Sequence, residues 1–239
     1  STADLTEKVT SGKNTVEVLA DNSLVPNCRW YSGSGIYRPV YLEISRKDAP
    51  TFLKIKTVGI SPAVIEVDTD DGAQVQVFDA EGNLAASGQK GRFEISGAHL
   101  WSAEAPYLYT CKVSRGGEEL TEKFGIRTLE WSGKTGLLVN GRETLLRGGC
   151  IHHDNGVLGA CSFADAEERR VRILKNQGFN ALRMAHNPAS RSLLDACDRI
   201  GMYVMDEAFD GWYIPKEYHD YSRDFLSDYK SVLAAMVEN

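Results

Sequence analysis

Up to about residue 146 the chain alternates apolar and polar positions in short runs. Segments 16–19, 37–44, 52–58, 64–67, 75–78, 92–95 and 108–113 have strand length and are bounded by turn residues, the signature of half-buried β-strands. The turns carry their own chemistry: Glu81-Gly82-Asn83, Gly116-Gly117 and Asn140-Gly141 supply residues that tolerate positive φ. The clearest hairpin joins 137–139 to 144–146 across Asn140-Gly141. Regular short strands of this kind predict β-sandwich architecture.

Near residue 147 the period changes to strand, helix, strand, helix. Ser190 can cap a helix whose apolar residues Leu193, Leu194, Cys197 and Ile200 share one face, with Gly201 ending it. Ser222 can cap another, with Phe225, Tyr229, Val232, Leu233 and Met236 on one stripe. A third helix is expected between Ser162 and Gly178, with a capping box from Ser162 to Asp165. Segments 145–151, 180–184 and 202–205 are the strands between them, short and apolar as buried parallel strands are. Three consecutive βα units result. A parallel sheet needs both faces covered, and a closed barrel takes eight strands and about 250 residues. The expectation is therefore the first part of a (β/α)8 barrel whose edge another segment must cover. A small open α/β sheet is the competing architecture.

Composition narrows the function. The net charge of −6 and the lack of a Lys/Arg cluster argue against a nucleic-acid partner. No apolar run approaches membrane-spanning length. The cysteines, Cys28, Cys111, Cys150, Cys161 and Cys197, are scattered without a C-x-x-C pair, so neither a disulfide framework nor a zinc knuckle is expected. Free thiols lean towards a reducing compartment, but cytoplasmic, periplasmic and secreted locations all stay open, as does self-association into a homo-oligomer.

Several motifs carry a family resemblance. "DLTEKVTSGKNTVEVLADN" followed by "RWYSGSGIYRPVYLEI" resembles the last strands of the jelly-roll sugar-binding domain of glycoside hydrolase family 2. "LWSAEAPYLYTCKV" and "EKFGIR" resemble the end of that family's immunoglobulin-like domain. "LLVNGRETLLRGGCIHHD", "NQGFNALRMAHNP" and "CDRIGMYVMDEAFDGW" resemble the first three strands of its catalytic TIM barrel. The motifs stand in the family's order, and bacterial β-galactosidase-type members resemble the chain most. The resemblance implies three parts: residues 1–46 as closing jelly-roll strands, 47–129 as an immunoglobulin-like sandwich and 130–239 as a truncated barrel. It implies a retaining β-glycosidase acting on a carbohydrate, with no cofactor. The family's acid/base and nucleophile glutamates would lie downstream, so none of the catalytic residues is expected within this chain, and the chain alone is expected to be inactive.

The resemblance also assigns substrate contacts. His152 matches the family's sugar-contacting histidine, and strand alternation turns His153 the other way. His186 would reach sugar hydroxyls. Arg183 would hold the environment of the catalytic carboxylate, whose pKa a neighbouring guanidinium lowers. Asp206 and Glu207 are adjacent on a strand and must face opposite ways, so they cannot be the carboxyl pair that retention requires about 5–5.5 Å apart. One of the two should face the barrel mouth. A plain ion pair of Arg183 with either is the structural alternative. Trp212 and Tyr213, after the third strand, are candidates for a pocket wall, weighed evenly against loop packing. Tyr31 and Tyr37 join Trp30 among the early aromatics, and Trp30, Trp101 and Trp131 read as core or interface residues.

Two departures bear on sugar and metal. Cys28 and Arg29 precede Trp30 where some β-galactosidases carry a sugar-contacting aspartate. Phe209-Asp210-Gly211-Trp212 lacks the Glu and His that bind magnesium in some members, and no metal is expected. Both weaken galactose against glucuronic acid or another sugar. Two readings from other classes remain: a non-catalytic carbohydrate-binding module, and a metal-dependent α/β hydrolase using His152, His186 and Glu207. Consecutive histidines count against the latter, because a metal site wants H-x-H on one face of a strand.

Overall fold

The computed structural model describes residues 3–28 and 35–238. Two compact units divide the chain: residues 37–210 with 226–239, and residues 1–36 with 211–225.

The first unit begins with a β-sandwich. One sheet orders β1 (Leu53–Ile60), β2 (Ala63–Thr69) and β5 (Gly91–Glu94) as β1-β2-β5. The other orders β3 (Gln74–Phe78), β4 (Leu84–Gly88), β6 (Tyr109–Arg115) and β7 (Glu118–Phe124) as β4-β3-β6-β7. All of these pairings are antiparallel. The alternation in the sequence does what it predicts. Ile65 and Val67 from one sheet meet Val75, Val77, Cys111 and Val113 from the other, all buried in a single apolar cluster. Burial of side chains of this size stabilises by about 1.5–3 kcal/mol each.

Three strands lacked a readable signal. β4 (LAASG) is small-residue-rich, β7 (EELTEKF) is charged on its open face, and β8 (Leu129–Ser132, LEWS) is exposed throughout. The expected hairpin is present. β9 (Gly136–Val139) pairs with β10 (Arg142–Glu143) across Asn140-Gly141, both at positive φ. The partner strand is 142–143, with Thr144 adding one further hydrogen bond to Leu137 O at 2.9 Å.

The parallel sheet follows, ordered β11 (Gly148–Ile151), β12 (Ala181–Met184), β13 (Tyr203–Met205). Helices α1 (Ala164–Asn176) and α2 (Arg191–Ile200) form the two crossovers and pack on one another. Their apolar faces join the sheet in a second core of Val171, Leu182, Met184, Leu193, Ala196, Cys197 and Met202. Two devices align β11 with β12. Asn180, buried, accepts from Arg147 N at 2.6 Å and donates to Leu145 O at 3.0 Å. Gly148 lets the strands approach: a Cβ there would lie 2.2 Å from Ala181 O.

The sandwich and the parallel sheet are stitched through Trp101, which is buried. Its Nε1 donates to Asp198 O at 2.9 Å, Arg127 lies over its ring and Tyr203 meets its edge. Lys175 Nζ donates to Ala103 O at 2.6 Å and Gly201 O at 2.7 Å, and Asn140 Nδ2 donates to Trp101 O at 3.0 Å.

Other expectations change. Segments 16–19 and 37–44 form no strand. A strand needs a neighbour to complete its ladder, and no described segment of this chain pairs with them. Val16, Leu19, Val40, Leu42 and Ile44 stand exposed as a result. Ser162 makes no capping box: Phe163 takes the N-cap position of α1, and Ser162 Oγ instead donates to Glu167 Oε1 at 3.0 Å. Ser222 lies inside a 3-10 turn that Asp220 caps, and α3 (Phe225–Glu238) starts three residues later. Ser190 and Gly201 cap α2 as expected. Trp101 is core as expected, whereas Trp131 is exposed on short β8. Trp30, Tyr31 and Arg29 lie outside the described residues. None of the five cysteines forms a disulfide among the described residues.

Candidate functional site

The three parallel strands end at a common level, which brings their carboxyl-terminal residues together. Cys150 on β11 sits beside Arg183 on β12, and Arg183 beside Met205 on β13. His152 follows β11 directly, His186 lies two residues past β12 and Glu207 two past β13. Carboxyl-end positions of a parallel sheet are where barrel folds assemble sites.

Arg183 is the hub. Its Nε donates to Glu207 Oε1 at 2.6 Å, its Nη2 lies at the same distance from that oxygen, and its Nη1 donates to Cys150 Sγ at 3.1 Å. The second oxygen of Glu207 lies 3.0 Å from His186 Nδ1. A carboxylate only accepts, so this contact places a hydrogen on Nδ1. Arg183 Nη2, 3.4 Å from the same nitrogen, is then a close cation rather than a donor to it. Asp210 Oδ1 approaches His186 Nε2 at 3.9 Å. The His152 and His186 rings meet edge to face, 5.6 Å between centroids.

The neighbours with opposite orientation also fall where alternation puts them. Asp206 turns away from Glu207 and accepts from Ala189 N at 2.8 Å, and burial raises its carboxyl pKa. His153 turns away from His152 towards Tyr37, 5.9 Å between ring centroids. Burial, then the Arg38 charge, lowers its imidazole pKa.

The structure thus gathers His152, Arg183, His186 and Glu207, and the ion pair of Arg183 is with Glu207, not Asp206. Trp212 belongs to the other compact unit and is exposed. Sequence reasoning did not single out Cys150 and Asp210, which the structure adds to this cluster. Cys150 was within reach, because it stands two residues before His152 and so shares its strand face. Among the described residues no group of three or more His, Cys, Asp or Glu is arranged to hold a metal. A guanidinium bonded to Glu207 and beside His186 places a fixed cation where the metal-hydrolase reading needed an ion. A separate open groove of about 1450 Å³, lined by residues including Leu53, Phe124, Leu194, Tyr203 and Met205, contains none of the four residues.

Comparison with known proteins identifies the family. Residues 50–127 match the family model "Glycosyl hydrolases family 2", and residues 133–239 match "Glycosyl hydrolases family 2, TIM barrel domain". A Bacteroides ovatus protein, beta-galactosidase BoGH2A, is 39% identical over 89% of this chain and 29% of its own length. A putative beta-glucuronidase of Formosa agariphila is 33% identical over 95% of this chain and 24% of its own. Among solved structures, a glycosyl hydrolase family 2 member from Bacteroides cellulosilyticus superposes with a TM-score of 0.81 at 36% identity, covering 89% of this chain and 32% of that one. A beta-glycosidase from Bacteroides vulgatus gives 0.81 at 28% identity, covering 92% and 31%. The chain spans under a third of each of these relatives.

Proposed function

Because the chain belongs to glycosyl hydrolase family 2, we propose that it forms part of a retaining β-glycosidase acting on terminal β-linked sugars. In such an enzyme a nucleophilic carboxylate attacks the anomeric carbon while an acid/base carboxyl protonates the leaving oxygen. Water, deprotonated by that same group, then releases the sugar from the enzyme. Neither carboxyl comes from the residues described here. This chain contributes the first three strands of the mouth and the groups that receive the sugar.

The observation that carries this reading is the Arg183–Glu207–His186 constellation beside His152. Arg183, fixed at two ends by Glu207 and Cys150, presents a preorganised positive charge. Such a charge favours an ionised carboxylate placed near it. His152 and His186 offer ring nitrogens to sugar hydroxyls, and Glu207 orients the His186 ring from behind. Trp212 is proposed as pocket wall. The boundaries 47–129 and 130–239 are proposed as those of the sandwich and the barrel portion.

A galactoside is the favoured substrate, on the similarity to the B. ovatus protein. Hydrolysis of a panel of 4-nitrophenyl β-glycosides by the full-length protein tests it, with the anomer first released followed by proton NMR. Release of the β-anomer of galactose supports the proposal. Preference for the glucuronide reassigns the sugar, and release of the α-anomer refutes retention. Failure to cleave any member of the panel refutes the glycosidase reading.

A further inference from the structure

The candidate mouth is held from below by a polar cluster that the proposed reaction does not use. Arg170 stands at the middle of α1 and is mostly buried, with Glu167 one turn earlier at 3.4 Å. Glu167 is 5% exposed and accepts from Ser162 Oγ. Arg170 turns its guanidinium away from solvent to the loop that leaves β11. Nη1 donates to the backbone carbonyl of His152 at 3.0 Å, and Nη2 donates to Asn155 Oδ1 at 2.5 Å. Asn155 in turn donates to Cys161 O at 2.9 Å and to Glu167 Oε1 at 3.4 Å, and its own N–H donates to Gly159 O at 2.7 Å.

A mostly buried ion pair is weak evidence for stability, because desolvating both charges offsets much of their attraction. Here the pair does something an apolar replacement could not: it fixes the peptide on one side of His152. The Ile151 carbonyl, on the other side, is held by Ala185 N at 2.9 Å across the β11–β12 ladder. The His152 carbonyl accepts from Arg170 and from Asp154 N at 2.7 Å. With both flanking peptides pinned, the Cα–Cβ direction of His152 is set, and with it the approach of its ring to His186.

From this we infer that Arg170, held by Glu167 and Asn155, is a positioning residue for His152. It acts on the sugar through the backbone of that histidine and touches no substrate itself. The inference rests on the glycosidase reading and extends it to a residue one layer below the mouth. The shape of loop 154–161 is tied to the same guanidinium, so the cluster links helix α1 to the first loop of the mouth.

A double-mutant cycle in the full-length protein tests this. Arg170→Gln, His152→Ala and the two combined are compared by kcat and KM on the best-cleaved 4-nitrophenyl β-glycoside, well below each variant's melting midpoint. A misplaced contact group reduces rates by roughly tenfold to a hundredfold, so Arg170→Gln should lower kcat/KM by at least tenfold. In the His152→Ala background the same change should cost less than about twofold, because the group it positions is gone. A purely structural role would give the same loss in both backgrounds and would overturn the inference, as would full activity of Arg170→Gln. Removing one partner of a buried pair is the harsher change. If Arg170→Gln fails to fold, Glu167→Gln with Arg170→Gln removes both charges together and is read by the same two criteria. A wild-type protein that cleaves no glycoside defeats the glycosidase reading and this inference with it. An active wild type with multiplicative losses defeats the inference alone.

Discussion

Arg183 and Glu207 meet through Nε and Nη2 on a single carboxylate oxygen, both at 2.6 Å, leaving the other oxygen for His186. One carboxylate therefore orients both a cation and an imidazole. Charge-assisted hydrogen bonds are shorter and stronger than neutral ones.

Glu207→Gln should loosen both partners without emptying the position. Hydrogen bonds to charged groups contribute about 1.5–3 kcal/mol, so kcat/KM of the full-length protein on an aryl β-glycoside should fall roughly tenfold to a hundredfold. An unchanged value would remove Glu207 from the site.

Gly148→Ala should disrupt the register that creates the mouth. Its Cβ would sit 2.2 Å from Ala181 O, a backbone atom that cannot swing aside. Overpacking costs about 1–3 kcal/mol and occasionally more, and we expect the upper end. A urea midpoint close to wild type would show that the strands can separate freely.

His153→Gln should change how stability depends on pH. In the unfolded chain this imidazole titrates near about 6.5, and in the folded protein burial, then Arg38, lower it. Below about pH 6.5 the unfolded state binds a proton that the native state refuses, so stability falls with pH until the folded value is passed. The loss in melting midpoint between about pH 7 and about pH 5 should be smaller for His153→Gln than for wild type. Equal slopes would place the group in solvent.

Much of this was legible in the sequence, for identifiable reasons. Residues 109–113 alternate cleanly because they face a filled core on one side only, and they lie within β6. β7 escaped because its alternation is of charge against charge, with Leu120 and Phe124 its only large apolar residues. Residues 37–44 had the right pattern and no ladder partner among the described residues, which no pattern can reveal. The capping serines divide in the same way. Ser190 has helix and hydrogen-bond geometry in agreement, whereas Ser162 was claimed by buried Glu167. In the site, the four mouth residues followed from strand ends and motif resemblance. Arg170 did not, because a charged residue in a helix reads as solvated until the fold shows what carbonyl it meets.

Trp101→Phe should reveal what the stitch between sandwich and sheet contributes. It removes the donor to Asp198 O and part of a buried ring, a loss of about 1–3 kcal/mol from the bond and the void together. Guanidinium denaturation followed by circular dichroism would measure it. No shift in midpoint would mean the seam carries no load.

Lys175 reaches carbonyls on both sides of that seam, which leaves little room for either half to melt independently. On calorimetric heating, residues 53–143 and 148–205 should give one endotherm, with van't Hoff and measured enthalpies in agreement. Damage deep in the sandwich would then silence the mouth at its own melting temperature, although no sandwich residue stands among the four groups gathered there.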